Sequence, residues 1–200
     1  MMRTIIVPGL HGSPSPHWQH WWHMTDRFSM LVDQPDWLAR DAASWDLRIA
    51  RAIHANPGAL VVAHSLGVVS VARLALAWPQ LRIGGALLVA PADVERGIGG
   101  ERLGHFGPIP REKLPFPSIV VASHNDPWMT FARARAFAAD WEADFVDLGG
   151  AGHVNVASGF GPWPAGKALL RELQRKSGRP ALSTWAASGG WPYQTRESQQ

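Results

Sequence analysis

Two hundred residues are enough for one domain with a full core, and 46% hydrophobic with 18% charged residues is ordinary for a globular chain. The net charge is only +3, and Lys176, Arg179 and Arg196 against Glu197 place +2 of it in the last 25 residues, so no basic stripe supports a nucleic-acid partner. The absence of cysteine excludes disulfides and thiolate metal sites, and no apolar stretch approaches the ~20 residues of a membrane span.

In chain order, Thr4-Ile5-Ile6-Val7 reads as a buried strand stopped by Pro8-Gly9. After Arg3 it is too short for the apolar core of a secretory signal, so a cytoplasmic location is the default expectation. Residues 10–16 form a loop, and His17 to Asp26 can be a helix carrying Trp18, Trp21 and Trp22 on adjacent faces. Phe28 to Val32 is a second strand. Ser44 is the expected N-cap of a helix from Trp45 to about His54, with Leu47, Ile49, Ala50 and Ile53 near helical spacing. Ala59 to Ala63 is the third strand. The helix from Leu66 to Trp78 stops at Pro79 and is apolar almost all round, so it should be buried.

Ile83 to Ala90 and Ser118 to Ala122 are further strands, separated by residues 91–116, a Gly/Pro-rich connection long enough to suggest a lid. A helix from Thr130 to Trp141, a strand from Asp144 to Leu148, the tight loop Gly149 to His153 and a helix from Gly166 to about Lys176 complete the pattern. From Ser177 on, the Ser/Gly/Pro/Gln-rich tail is expected to hold little fixed order, which leaves 1–176 as the folded domain. Six apolar strands alternating with helices predict an α/β domain, a mostly parallel six-stranded sheet with helices on both faces. Ligands then belong beyond the carboxyl ends of the strands.

The chemistry centres on Ala63-His64-Ser65-Leu66-Gly67, where an apolar strand meets a serine and a helix begins at once. This is the context of a nucleophile elbow, with small residues two positions either side of the serine because the turn is sharp. The alternative is an ordinary βα turn with Ser65 as an N-cap. Serine needs a base, and the base an orienting acid. Asp126 follows the fifth strand and His153 the sixth, so the order nucleophile, acid, histidine is that of an α/β-hydrolase. Asp93, after the preceding strand, is the rival acid, and Asp147 a third. The Leu66 N–H at the helix start and the Leu10 N–H in the first loop are the expected oxyanion donors, with His11 N–H as the alternative to Leu10.

The Pro8-Gly9 loop, His17-Trp18-Gln19, Asp33-Gln34-Pro35, the serine pentapeptide, Ala90-Pro91-Ala92-Asp93, Leu114-Pro115-Phe116-Pro117-Ser118, Asn125-Asp126-Pro127 and Gly152-His153-Val154-Asn155 are dispersed over about residues 3–175. In these the chain resembles the small α/β-hydrolases of the retinoblastoma-binding protein nine and YdeN type. The resemblance implies a reduced α/β-hydrolase fold and a serine hydrolase with Ser65, Asp126 and His153 as its triad. It implies neither metal nor organic cofactor and names no natural substrate.

His11, His17, His20 and His23 invite a metal reading, but His17 and His23 stand about 240° apart on a helix and no carboxylate pair completes a site. Eleven tryptophans are an excess. Several follow strand ends, and His11, Trp18, Phe106 and Trp128 are the candidate pocket walls, with core packing the competing explanation for the aromatics. The expected reaction is hydrolysis of a small ester, or of a thioester or amide. A binding or scaffolding module on the same fold, and acyl transfer to an acceptor other than water, are the alternatives. Oligomeric state is not legible.

Overall fold

The computed structural model describes residues 2–38, 41–97 and 103–178. Its strands are β1 (Thr4–Val7), β2 (Ser29–Leu31), β3 (Ala59–His64), β4 (Ile83–Val89), β5 (Ser118–Ala122) and β6 (Asp144–Asp147). The helices are α1 (Trp18–Thr25), α2 (Ala42–His54), α3 (Leu66–Ala77), α4 (Phe131–Asp140) and α5 (Pro164–Ser177). The six strands form one sheet in the order β2-β1-β3-β4-β5-β6, and every pairing is parallel.

Alternation within the apolar strands explains why both faces are covered. Ile5, Val7, Val61 and Ala63 enter the core beneath α2, α3 and α4, with Trp45, Ile49, Val68 and Phe137. Ile6, Leu60 and Val62 face the opposite way, against Trp18 and Trp22 of α1 and Leu173 of α5. A strand buried on both faces has no polar positions, which is why these runs read as continuous hydrophobics.

Three details depart from the sequence pattern. Helix α2 begins earlier than Trp45 because Asp41, not Ser44, is its N-cap: the Asp41 carboxylate accepts the N–H groups of Ala43 and Ser44. A carboxylate has acceptors for both orphan amides. Helix α5 begins at Pro164, where the ring's fixed φ suits the first helical position, rather than at Gly166. The described parts of 91–116 are anchored to the body of the domain, with Ala92 and Leu103 lining the cavity at Ser65. Phe106, Ile109, Leu114 and Phe116 are buried in the α2/α3/α4 core, and the Ile109 N–H and the Pro110 carbonyl are tied to Glu95 and Trp141. The tail reading beyond 178 lies outside the described residues.

The chain leaves β1 for β2 on one side and returns to β3 on the other. The order therefore reverses between β1 and β3, and their carboxyl ends diverge into a crevice. The loop from Pro8 and the turn at Ser65 flank it. Among the described residues no helix is long and apolar enough to cross a membrane.

Candidate active site

Ser65 sits between β3 and α3 with φ 56° and ψ −122°. That backbone is strained for a residue with a Cβ, and it persists because the flanking strand and helix over-determine it. Close packing explains the small neighbours. A Cβ on Gly67 would stand 2.5 Å from the Pro8 carbonyl oxygen and 2.8 Å from that of Val7. A Cβ on Gly9 would stand 2.7 Å from the Ser65 Cβ. The Ser65 side chain caps no helix amide, unlike an ordinary N-cap serine.

Its Oγ lies 2.8 Å from His153 Nε2 instead. His153 Nδ1 is 2.9 Å from both carboxylate oxygens of Asp126, and the Asp126 side chain is only 3% exposed. A carboxylate only accepts, so Nδ1 carries the hydrogen and Nε2 presents its lone pair to the serine hydroxyl. Asp126 is itself oriented by the Trp128 N–H, 2.8 Å from Oδ1. The structure thus joins Ser65, His153 and Asp126 in one hydrogen-bonded series.

The other carboxylates are engaged elsewhere. Asp93 is buried against Arg133, whose Nε is 2.6 Å from its Oδ2. Asp147 is exposed and accepts from His124 Nε2 and the Gly149 N–H.

Backbone donors near the serine sort by elimination. The His11 N–H is given to the Trp37 carbonyl and the Gly12 N–H to that of Gly9. The Leu10 N–H has no acceptor among the described residues. Leu66 opens α3, where no preceding turn supplies an acceptor for its N–H.

The serine opens into a cavity of about 270 Å³ lined by Leu10, His11, His17, Leu103, Trp128 and Val156, among others. Of the four expected wall residues, His11 and Trp128 line it. Trp18 and Phe106 do not. Trp18 is wholly buried on the other sheet face, edge-on to Trp22 and Trp163, and its Nε1–H donates to the Val154 carbonyl beneath the His153 loop. Phe106 is wholly buried edge-on to Trp45, under the Arg73 guanidinium. Both serve as packing because an aromatic carries the same sequence signal in a core as in a pocket wall.

Several residues outside the triad also build the site. Gln19 is fully buried; its amide donates to the Val7 and Val62 carbonyls and accepts from Ser13, which joins the ends of β1 and β3. Asn125 Oδ1 accepts the Gly152 N–H, and Ser158 Oγ the His153 N–H. A buried amide with four satisfiable positions has no periodicity to betray it.

His17 and His64 form a buried row with His153, the ring centroids being 5.1 Å and 4.9 Å apart in turn. Burial, then the nearby His153, lowers the His17 pKa to about 4. Burial, with His153 and His17 beside it, also holds His64 well below the usual histidine range. Both rings are neutral at pH 7. Among the described residues no group of three His, Asp or Glu side chains is arranged to hold a metal ion.

A family model described as serine hydrolase matches residues 4–172. No curated protein matches the chain. A solved structure described as YdeN-like, from Pectobacterium atrosepticum, is 33% identical over 88% of this chain and 91% of that one, with a TM-score of 0.75. The ydeN gene product of B. subtilis, at 19% identity over 88% of this chain and all of that one, has a TM-score of 0.72. Thermogutta terrifontis esterase 2, at 18% identity over 88% of this chain and 83% of that one, has a TM-score of 0.67. The family match over most of the length, on an all-parallel sheet with a serine at the elbow, identifies this chain as a member of the serine hydrolase family, of the small α/β-hydrolase type.

Proposed function

We propose that the protein is a carboxylesterase-like hydrolase of small esters, working through an acyl-enzyme on Ser65. The observation that carries this reading is the unbroken series Ser65 Oγ, His153 Nε2 and Nδ1, Asp126 carboxylate. Ser65 Oγ attacks the ester carbonyl carbon while His153 Nε2 takes its proton. The Leu10 and Leu66 N–H groups receive the oxyanion as fixed, pre-oriented dipoles. The intermediate collapses, the C–O bond to the alcohol breaks, and His153 returns the proton to the leaving oxygen. Water, deprotonated by His153, then attacks the acyl carbon and releases the acid and free Ser65. Asp126 holds the imidazole tautomer and stabilises its charged form without taking a proton.

The cavity favours small substrates. Its volume of about 270 Å³ falls below the about 300–1,000 Å³ of pockets for drug-sized ligands. Leu10, Ala92, Leu103, Trp128 and Val156 offer apolar surface to an acyl or aryl group. Thioesters and small amides are open to the same mechanism, and no step in it calls for a metal or cofactor. Thermogutta terrifontis esterase 2, which shares the fold, is known phosphonylated by cyclosarin, so a phosphonate is the natural probe. The test is fluorophosphonate labelling of the wild type beside Ser65→Ala, followed by nitrophenyl esters of rising chain length. Ser65-dependent labelling with turnover of the short esters is expected. Labelling without turnover would favour a binding or scaffolding module.

A further inference from the structure

His64 stands beside the nucleophile in sequence, but its side chain reaches the base. Its Nε2 lies 2.9 Å from the main-chain oxygen of His153, and the residue is buried. A carbonyl oxygen only accepts, so Nε2 must carry the hydrogen. We infer that His64 is a positioning residue, whose Nε2–H···O=C bond sets the spacing between the elbow that carries Ser65 and the loop that carries His153. This rests on the triad reading above.

The argument is one of connectivity. The other ties of the His153 loop run elsewhere: the Gly149 carbonyl takes the His124 N–H, and the His153 Nδ1–H goes to Asp126. The Gly152 N–H goes to Asn125, the His153 N–H to Ser158 within the same loop, and the Val154 carbonyl takes the Trp18 indole N–H from α1. None of these runs to the elbow. The His64 bond does, from the residue next to the nucleophile. With the Ser65–His153 contact it closes a ring: the main chain from Ser65 to His64, the His64 side chain, the His153 carbonyl, the His153 side chain, and back to Ser65 Oγ. Any drift of the base loop from the elbow stretches both hydrogen bonds at once.

The choice of histidine also has a chemical reason. His153 becomes cationic at each proton transfer, and the His64 ring centroid is 4.9 Å from its own. A lysine or arginine donor would place a fixed positive charge beside that cation and oppose it. A buried neutral imidazole donates the same hydrogen without the charge. Gln is the other neutral side chain with an N–H at similar reach.

The test uses the full chain with His64→Gln and His64→Leu. Melting temperatures establish that each variant folds. Fluorophosphonate labelling rates and ester kcat and KM then follow. His64→Gln should stay within about threefold of wild type, while His64→Leu should lose about 10- to 100-fold in kcat with KM within about twofold, as expected when a reacting group is misplaced. Equal rates in the two variants, or a loss confined to KM, would overturn the proposal. A second measurement needs no variant: the imidazole nitrogen shifts of His64 in the wild type, read by long-range proton–nitrogen NMR, should show the Nε2–H tautomer. An Nδ1–H tautomer would overturn it. Failure of the wild type to label at Ser65 would instead sink the hydrolase reading, and the tautomer result stands apart from that outcome.

Discussion

His17 offers a quantitative test of the buried histidine row. It caps α1 through Nδ1, which accepts the Gln19 N–H at 3.2 Å, and burial keeps the ring neutral in the fold. Its pKa falls from the ordinary 6.5 to about 4. The sign follows from proton counting. Between those values the unfolded chain binds a proton that the folded one refuses, so stability present above pH 6.5 is lost as pH falls toward 4. From His17 alone the loss is about 2 kcal/mol on going from pH 7 to pH 5, and about 3 kcal/mol by pH 4. His64, shifted the same way, adds to the slope.

The perturbation is His17→Asn, which keeps a side-chain acceptor for the helix amide but cannot titrate. Urea unfolding followed by tryptophan fluorescence, at pH 7 and pH 5, gives each protein's loss of stability. Any fixed cost of the smaller side chain appears at both pH values and cancels. The wild type should lose about 2 kcal/mol more than the variant over that interval. The His153 term couples the sites, so a difference as small as about 1 kcal/mol still agrees. Equal losses in the two proteins would refute the claim that burial keeps His17 neutral.

Two further outcomes separate the acid from its rival. Asp126→Asn should reduce kcat by about 10³- to 10⁴-fold with a little-changed melting temperature, because the amide no longer fixes the imidazole tautomer. Asp93→Asn should leave fluorophosphonate labelling within about threefold of wild type, yet destabilise by about 1–3 kcal/mol in urea unfolding, since the largely buried Arg133 side chain loses one of its two carboxylate partners and keeps only Glu95. Gly9→Ala pushes a methyl group to within 2.7 Å of the Ser65 Cβ. It should lower kcat by about 100-fold and cost about 1–3 kcal/mol of stability, checked by ester assay and urea unfolding.

Much of this architecture is legible in the sequence because it follows from burial. Strands covered on both faces must be apolar throughout, as in Leu60-Val61-Val62-Ala63, and each ends at a Gly, Pro or Ser that breaks the run. The order Ser65, Asp126, His153 is legible for a related reason: parallel strands deliver their following loops to one edge of the sheet. What is not legible is the direction in which a bulky ring points. Trp18 and Phe106 follow strands just as Trp128 does, but Trp18 supports the His153 loop from below and Phe106 fills the α2/α3/α4 core. Caps within one turn are equally ambiguous, since Asp41 and Ser44 are both good candidates and only the backbone direction chooses Asp41. Long-range ties leave no local trace. The His64 side chain meets a carbonyl 89 residues away, and the Gln19 amide meets two strand carbonyls at once.

The central claim is that Ser65 is a nucleophile activated by His153. Its most direct test is intact-protein mass spectrometry after fluorophosphonate treatment, on wild type, Ser65→Ala and His153→Ala. The account predicts one adduct, located at Ser65 by peptide mapping, absent in Ser65→Ala and formed far more slowly in His153→Ala. An unmodified wild type, or an adduct that persists in Ser65→Ala, would contradict it.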